Sequence, residues 1–225
     1  MKKITVLLAE DHTIVREGFR KMLELENDLH VVGEAQDGRQ AVALVKKLRP
    51  AVVLMDIAMP LLNGLEATRQ VLKALPATKV LILSAHGDDA YVKNATESGA
   101  AGFLLKQTSA HVVCEAIREV QKGKTFFSPS ISRQLDRLNP KSPDRTGRLN
   151  KKAARLTSRE MEVLQLIAEG KANKETAAEL GISIKTVEKH REKAMSKLNI
   201  HDTAGLTRYA ISAGIIESSV QLTIV

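Results

Sequence analysis

The chain of 225 residues is long enough for one large domain or two small ones. Its single cysteine, Cys114, excludes an internal disulfide bond and any zinc site built from several cysteines. No stretch approaches the roughly 18 apolar residues that cross a bilayer, so we expect a cytoplasmic protein without a membrane partner. The net charge of +8 suits an acidic partner such as nucleic acid. That charge is uneven: residues 129–155 hold eight basic and two acidic side chains, whereas residues 156–225 hold nine of each.

Residues 1–127 alternate strand-like and helical patterns. Apolar, β-branched runs predict strands over Thr5–Ala9, Val31–Ala35, Ala51–Met55, Val80–Ser84 and Gly102–Leu105. Amphipathic stretches predict helices over Ile14–Glu26, Gly38–Leu48, Gly64–Leu75, Asp88–Ser98 and Ser109–Lys122. This alternation predicts an α/β domain, a doubly wound parallel sheet with helices on both faces.

The rest of the chain divides into a linker, a helical domain and a tail. Prolines, small polar residues and basic residues predict a flexible basic linker over residues 128–155. Residues 156–217 predict a small all-α domain, whose first helix starts at a capping box formed by Thr157 and Glu160. Three further helices are predicted over about Asn173–Leu180, Ser183–Leu198 and Asp202–Ala213. Residues 218–225 form a strand-like tail to which we assign no function.

Polar side chains follow four of the predicted strands. Glu10 and Asp11 come after the first strand, Asp56 after the third, Ser84 ends the fourth, and Lys106 follows the fifth. In an open parallel sheet the carboxyl ends of the strands form the ligand-binding edge, so these groups should converge. Three neighbouring carboxylates repel one another unless a cation neutralises them, and Mg²⁺ suits oxygen ligands. The chemistry that this set permits is phosphoryl transfer to a carboxylate.

Residues 4–123 resemble the receiver domain of two-component response regulators. The motifs that carry the resemblance are Leu8-Ala9-Glu10-Asp11-His12, Leu54-Met55-Asp56-Ile57-Ala58-Met59-Pro60, Asn63-Gly64, Leu83-Ser84-Ala85 and Gly102-Phe103-Leu104-Leu105-Lys106. The resemblance implies a flavodoxin-like (βα)5 fold, with Asp56 as phosphoacceptor assisted by Lys106 and Ser84. It also implies a Mg²⁺ site formed by Asp11, Asp56 and the backbone carbonyl of Ala58, with Glu10 assisting.

The resemblance extends to a conformational switch. It implies that Ser84 binds the new phosphoryl group and that Phe103, three residues before Lys106, then turns inward. Tyr91 is the other aromatic residue nearby, and we expect it on a helix surface. One position departs from the family: many receivers have a cis proline after the lysine, where this chain has Gln107. A cis bond before a residue other than proline costs about 3 kcal/mol, which puts the geometry of this loop in question.

The C-terminal domain resembles the LuxR-type helix-turn-helix of the NarL/FixJ family. The matching segments are Leu156-Thr157-Ser158-Arg159-Glu160-Met161-Glu162-Val163-Leu164, Ile167-Ala168-Glu169-Gly170, Asn173-Lys174-Glu175 and Thr186-Val187-Glu188-Lys189-His190-Arg191, extended by Lys197-Leu198 and Tyr209-Ala210. In such a unit the second helix enters the major groove of DNA. By helical spacing, Val187, Ala194 and Leu198 form an apolar stripe with Ile184 and Met195 beside it.

The resemblance also implies roles on and after the third helix. It assigns base reading to Glu188, Lys189 and Glu192, where two acidic residues depart from the more basic members. The residues that we expect to contact phosphates are Lys185, Thr186, Arg191, Lys193 and Lys197. His190 is expected to be structural. The fourth helix is expected to form the dimer contact through Leu206, Tyr209 and Ala210.

These features predict a transcriptional response regulator rather than an enzyme. Its expected partners are a sensor histidine kinase, double-stranded promoter DNA and, on activation, a second copy of the chain. A receiver that works without phosphorylation is the main alternative. A haloacid-dehalogenase-like phosphatase would need a second Asp two residues after Asp56, where this chain has Ala58. A ligand-sensing LuxR-type regulator would need an aromatic-lined pocket, and only 3% of the residues are aromatic.

Overall fold

The computed structural model describes residues 3–85, 87, 89–128, 131 and 156–216. The chain divides into two compact units, Met1–Arg148 and Leu149–Val225. Most of the predicted linker, residues 129–130 and 132–155, and the tail at 218–225 lie outside the described residues. Among the described residues, no helix is both long enough and apolar enough to cross a membrane.

The N-terminal unit is a parallel six-stranded sheet of order β2-β1-β3-β4-β5-β6. Its strands are β1 Ile4–Ala9, β2 Leu29–Ala35, β3 Val52–Asp56, β4 Lys79–Ser84, β5 Gly102–Leu105 and β6 Phe126–Phe127. Its helices are α1 Thr13–Glu24, α2 Gly38–Leu48, α3 Gly64–Ala74, α4 Asp89–Glu97 and α5 Ala110–Gln121. The predicted doubly wound α/β fold is therefore confirmed.

Both faces of the sheet are covered, because consecutive residues of the central strands enter different hydrophobic clusters. Val53 and Ile82 pack in the cluster that includes Ala41, on α2. Leu54 and Leu81 pack in the other cluster, together with residues of α1 and α5. Near-continuous apolar strands are typical of parallel sheets buried on both sides. This burial holds the carboxyl ends of the strands in fixed positions at one edge.

Three details differ from the sequence predictions or resolve them. The sixth strand, β6, pairs with β5 and was not predicted, because two residues carry no periodic signal. Tyr91 is partly buried against the core, so its prediction as a helix-surface residue is wrong. No cis peptide bond occurs among the described residues, and the Lys106–Gln107 bond is accordingly trans.

The described part of the C-terminal unit, residues 156–216, forms four helices. They are α6 Ser158–Ala168, α7 Asn173–Leu180, α8 Ile184–Leu198 and α9 Thr203–Ser212. The predicted capping box is confirmed, since the Thr157 side chain accepts a hydrogen bond from the Glu160 amide and Glu160 accepts one from the Thr157 amide. Gly181 ends α7 in the left-handed conformation, and Ser183 caps α8 two residues later. This tight connection produces the helix-turn-helix.

Candidate functional site

The first candidate site lies at the carboxyl edge of the parallel sheet. Lys106, just after β5, places its ammonium 3.0 Å from Asp56 Oδ2 and 2.9 Å from Glu10 Oε2. Asp11 lies in the same acidic cluster as Glu10 and Asp56, whose ligand atoms are all within 4.8 Å of one another. Ser84 ends β4, one residue beyond the partner of Asp56 in the register of β3 and β4. The predicted groups are thus gathered at one edge.

Burial sets the electrostatics of this pocket. Asp56 and Glu10 are each only 2% exposed. Burial, followed by repulsion from Glu10, raises the pKa of Asp56 to about 7, although the Lys106 ammonium opposes the shift. Burial alone would lower the pKa of Lys106, but the carboxylates of Asp56 and Glu10 raise it overall. The pocket therefore needs positive charge to keep Asp56 ionised near neutral pH.

The donor set fits a hard cation. Asp56 Oδ2 and Asp11 Oδ1 are buried oxygens with one close basic neighbour each, Lys106 Nζ at 3.0 Å and His12 Nδ1 at 2.9 Å, and within the described part of the chain neither neighbour has good hydrogen-bond geometry. Buried carboxylate oxygens are costly without a counter-charge, and oxygen-rich sites suit Mg²⁺. Ala58, whose carbonyl was predicted as a further ligand, lies partly buried in the loop after β3. These residues fit a magnesium ion.

The loop between β3 and α3 fixes the backbone of Asp56. The Ile57 amide donates to Asp56 Oδ1 at 2.8 Å, which leaves Oδ2 for Lys106. Asn63 caps α3 by accepting a hydrogen bond from the Glu66 amide. Gly64 packs so closely that a Cβ there would lie 1.8 Å from the carbonyl oxygen of Asp56. Glycine is therefore required at this position.

Two residues of the pocket region differ from the sequence interpretation. His12 joins the acidic cluster, with Nδ1 2.9 Å from Asp11 Oδ1 and 3.1 Å from Glu10 Oε1. The negative charge of Asp11 contributes most to raising the pKa of His12. The sequence reasoning missed it, although it directly follows the two acids. Phe103 is fully buried, so its ring already lies inward, and the expected turn on phosphorylation stays a prediction.

The second candidate site is the exposed face of α8. Five of the predicted DNA-contacting side chains are exposed, namely Lys185, Glu188, Lys189, Glu192 and Lys193, and Thr186 is partly buried. Val187 and Ala194 are buried on the opposite face, as the apolar stripe predicted. Ile184 is 44% exposed, so the prediction that it packs on the other helices together with that stripe is wrong. The helix therefore presents lysines and glutamates to solvent along this face.

Two of the predicted phosphate contacts are engaged inside the domain. Arg191 donates from Nη1 to Asn173 Oδ1 at 3.2 Å and from Nη2 to Thr203 Oγ1 at 2.7 Å. It thus joins α8 to the first residues of α7 and α9. Lys197 donates to Glu160 Oε2 at 2.6 Å and so ties the end of α8 to the capping box of α6.

Comparison with known proteins decides the family. Residues 6–118 match the family described as response regulator receiver domain, and residues 154–210 match bacterial regulatory proteins of the luxR family. The transcriptional regulatory protein DegU of Brevibacillus brevis is 37% identical over 211 residues, which cover 89% of each chain. The chain is a response regulator of the NarL/FixJ family.

Solved structures of response regulators agree with this assignment. The response regulator RcsB of Salmonella typhimurium is 30% identical, with a TM-score of 0.63 over 95% of this chain and 99% of that one. A structure of two RcsB dimers bound to two parallel DNAs matches with a TM-score of 0.58 at 30% identity, over 94% and 99% of the two chains. Members of this family are transcriptional regulators.

The predicted dimer residues of this response regulator do not form a surface. Leu206 is 1% exposed and Ala210 is fully buried, so both belong to the core of the C-terminal unit. Tyr209 is partly buried, and burial raises the pKa of its hydroxyl. The prediction of Leu206 and Ala210 as dimer contacts is therefore wrong for this conformation. The exposed residues of α9 include Arg208 and Ile211.

Proposed function

We propose that Asp56 accepts a phosphoryl group from a sensor histidine kinase and that this modification controls promoter binding through α8. The observation that carries the proposal is the buried pair of Glu10 and Asp56, joined by the partly buried Lys106, at the carboxyl edge of the sheet. An Asp carboxylate is a known acceptor in covalent phosphoryl transfer, and a fixed lysine stabilises charge on the transferred group.

The residues of the pocket divide the chemistry among them. An Asp56 carboxylate oxygen attacks phosphorus while the bond between phosphorus and the donor's histidine nitrogen breaks, and the freed imidazole takes up a proton. Lys106 offsets the charge of the phosphoryl oxygens, and Ser84 donates a hydrogen bond to one of them. Glu10, Asp11, Asp56 and the Ala58 carbonyl would hold Mg²⁺. When bound, this ion supplies further positive charge to the phosphoryl oxygens.

On the C-terminal unit, we propose that exposed residues of α8 read the major groove. Glu188 and Glu192 can accept a hydrogen bond from the amino group of cytosine, and Lys189 can donate to guanine. Lys185, Thr186 and Lys193 are positioned for phosphates. Arg191 and Lys197, which are engaged inside the domain, contribute first to the placement of α8. The RcsB relative, solved as dimers on DNA, supports DNA binding as a homodimer.

An Asp56→Asn variant tests the phosphorylation step. The variant should take up no phosphoryl group from acetyl phosphate in the presence of Mg²⁺, and its affinity for promoter DNA should no longer respond to that donor. Phosphate-affinity electrophoresis and a fluorescence-anisotropy titration measure the two effects. A Glu17→Gln variant, altered at an exposed site on α1, serves as the control and should behave as the wild type.

The same titration addresses the alternative of a phosphorylation-independent regulator. In that case the wild type binds DNA equally with and without acetyl phosphate, and Asp56→Asn leaves the affinity unchanged. Neither protein should hydrolyse small phosphate esters with turnover, because Ala58 stands where a second catalytic Asp would be needed.

A further inference from the structure

Arg16 is a buried arginine on α1 for which neither the pocket chemistry nor the family comparison accounts. Its side chain is only 5% exposed, and α1 begins directly after the loop that carries Glu10 and Asp11. Burying a guanidinium is costly unless its donors are paired. The location of those partners therefore indicates what the residue does.

Its partners include the backbone of the pocket loop. Nη1 donates to the carbonyl oxygen of Glu10 at 2.8 Å and lies 3.4 Å from that of Asp11. Nη2 lies 3.5 Å from Thr13 Oγ1. Nε donates to Glu34 Oε2, on β2, at 3.1 Å. One planar group thus bridges the pocket loop, the start of α1 and the edge strand.

These bonds restrain the direction in which the acidic side chains leave the backbone. The Glu10 amide is bound to the Ala35 carbonyl at 3.0 Å, and Arg16 holds the Glu10 carbonyl on the other side of the residue. With both of its backbone polar groups bound, Glu10 has little freedom to rotate. Groups that orient metal ligands typically change metal affinity about 10- to 100-fold when they are removed.

Arg16 can influence the acidic side chains through the geometry of the pocket loop rather than through its charge. The Glu34 carboxylate pairs with the Arg16 guanidinium, so the pair adds little net charge beside the pocket. A guanidinium has five donors in a fixed plane, whereas a lysine ammonium has no planar fork with which to span the carbonyls and the carboxylate together. The Arg16→Lys substitution would keep the positive charge but would lose the planar fork.

We propose that Arg16 is a positioning residue of the phosphorylation pocket, which sets its cation affinity by holding the backbone carbonyls of Glu10 and Asp11. The inference rests on the proposed function in that it takes Mg²⁺ as the cation of this pocket. Arg16 itself touches neither the cation nor the transferred group.

Isothermal titration of Mg²⁺ into the unphosphorylated full chain tests the proposal without any reaction. Arg16→Lys and Arg16→Met should both weaken Mg²⁺ binding by about 10- to 100-fold. Arg20→Met is the matched control, because Arg20 also pairs with Glu34, is half exposed and has no contact with the pocket loop among the bonds described. It should leave Mg²⁺ affinity unchanged. Wild-type affinity in Arg16→Lys would overturn the proposal.

Glu34→Gln separates positioning from general stability. This variant loses the ion pair but keeps Arg16, which can still bind the carbonyls, so its Mg²⁺ affinity should remain close to that of the wild type while its melting temperature falls. If Glu34→Gln weakens Mg²⁺ binding as much as Arg16→Met does, Arg16 acts only through the ion pair and the proposal is wrong. Should Arg16→Met fail to fold, Arg16→Lys and Glu34→Gln still decide the question.

A kinetic measurement adds an independent readout. With acetyl phosphate as donor, the Arg16 variants should need a higher Mg²⁺ concentration for half-maximal phosphorylation, and saturating Mg²⁺ should restore most of the rate. A rate that falls without any change in the Mg²⁺ requirement contradicts the proposal. A wild-type chain that binds no Mg²⁺ at all would overturn the proposed function and this inference together, whereas equal affinity in the wild type and in both Arg16 variants overturns the inference alone.

Discussion

At the scale of single residues, the acidic pocket around Asp56 depends on a glycine that supplies no reactive group. A Cβ at position 64 would lie 1.8 Å from the carbonyl oxygen of Asp56, a distance at which the two segments must separate. Gly64→Ala should therefore destabilise the N-terminal unit by about 1–3 kcal/mol, the usual range for overpacking, and should slow phosphorylation of Asp56. The measurements are urea denaturation and phosphate-affinity electrophoresis.

Gly18 provides the matched control for this substitution. It lies within α1, and a Cβ there would meet nothing within 4 Å. Because alanine favours a helix by about 1 kcal/mol over glycine, Gly18→Ala should raise the stability of the same unit. If Gly64→Ala proved as stable and as reactive as Gly18→Ala, the close packing of Gly64 on Asp56 would not be important.

Thr176 gives a second prediction at this scale. Its side chain is fully buried in α7, and its hydroxyl has no hydrogen-bonding partner among the described residues. Burying a hydroxyl costs desolvation free energy, and without a hydrogen bond nothing offsets that cost. Thr176→Val should therefore stabilise the C-terminal unit by about 1 kcal/mol. The change is measured as a shift in the melting temperature of the unfolding transition that belongs to the C-terminal unit.

Thr68 serves as its counterpart in the other unit. It is equally buried, but its hydroxyl donates to the Gly64 carbonyl at 2.6 Å. Thr68→Val should therefore cost about 0.5–1.5 kcal/mol, the usual net value of a hydrogen bond. Opposite signs for the two substitutions would support the assignment, and a loss of stability in both would contradict it.

At the scale of elements, one buried carboxylate connects two helices of the C-terminal unit. Glu160 closes the capping box of α6 and pairs with Lys197 of α8. Burial acts to raise the pKa of Glu160, but the hydrogen bonds from Lys197 and the Thr157 amide outweigh it, and the pKa is lowered from 4.5. A carboxyl group whose pKa is lower in the folded state stabilises the fold above its unfolded pKa. This stabilisation is lost as the pH falls through the folded pKa.

Glu160→Gln should accordingly destabilise the C-terminal unit at pH 7 by up to about 1 kcal/mol, because glutamine can keep the capping-box bond but loses the charge that pairs with the partly exposed Lys197. The difference between the variant and the wild type should shrink as the pH falls below about 4, the ordinary pKa of a glutamate. Urea denaturation at a series of pH values measures it, with Glu192→Gln on the exposed face of α8 as control. A difference that stays constant with pH would show that the charge of Glu160 contributes nothing.

The elements themselves were largely predictable, because each central strand is a continuous apolar run and most helices have a side-chain cap or a glycine stop, although α1 has neither. The pocket was predictable too, because ligands bind beyond the carboxyl ends of parallel strands and the ends of those strands were predicted. The predictions that failed concern features that are set by neighbouring elements. The strand β6, for example, exists only through its pairing with β5. A helical wheel gives the direction of Ile184 but not how far the adjacent helices extend over it. The bonds of Arg16 to the pocket loop leave no trace in periodicity.

At the scale of the whole molecule, the excess positive charge lies in a different part of the sequence from α8. Residues 129–155 hold eight basic and two acidic side chains, whereas residues 156–225 are balanced. Attraction to phosphates is independent of sequence and depends on salt, whereas base reading depends on placement. We therefore expect the basic segment to strengthen DNA binding in general and α8 to choose the site.

Neutralising part of residues 129–155 tests whether this segment strengthens DNA binding in general while α8 chooses the site. In a variant with Arg148, Lys151 and Lys152 changed to Gln, the slope of log affinity against log salt concentration should become shallower by up to about 0.9 per lost phosphate contact. The preference for promoter over random DNA should be retained, because Glu188 and Lys189 are unchanged. Lys46→Gln combined with Lys47→Gln, on α2 of the N-terminal unit, removes charge elsewhere and should leave the slope as it was. An unchanged slope in the first variant would mean that the charge of this segment serves solubility rather than DNA binding.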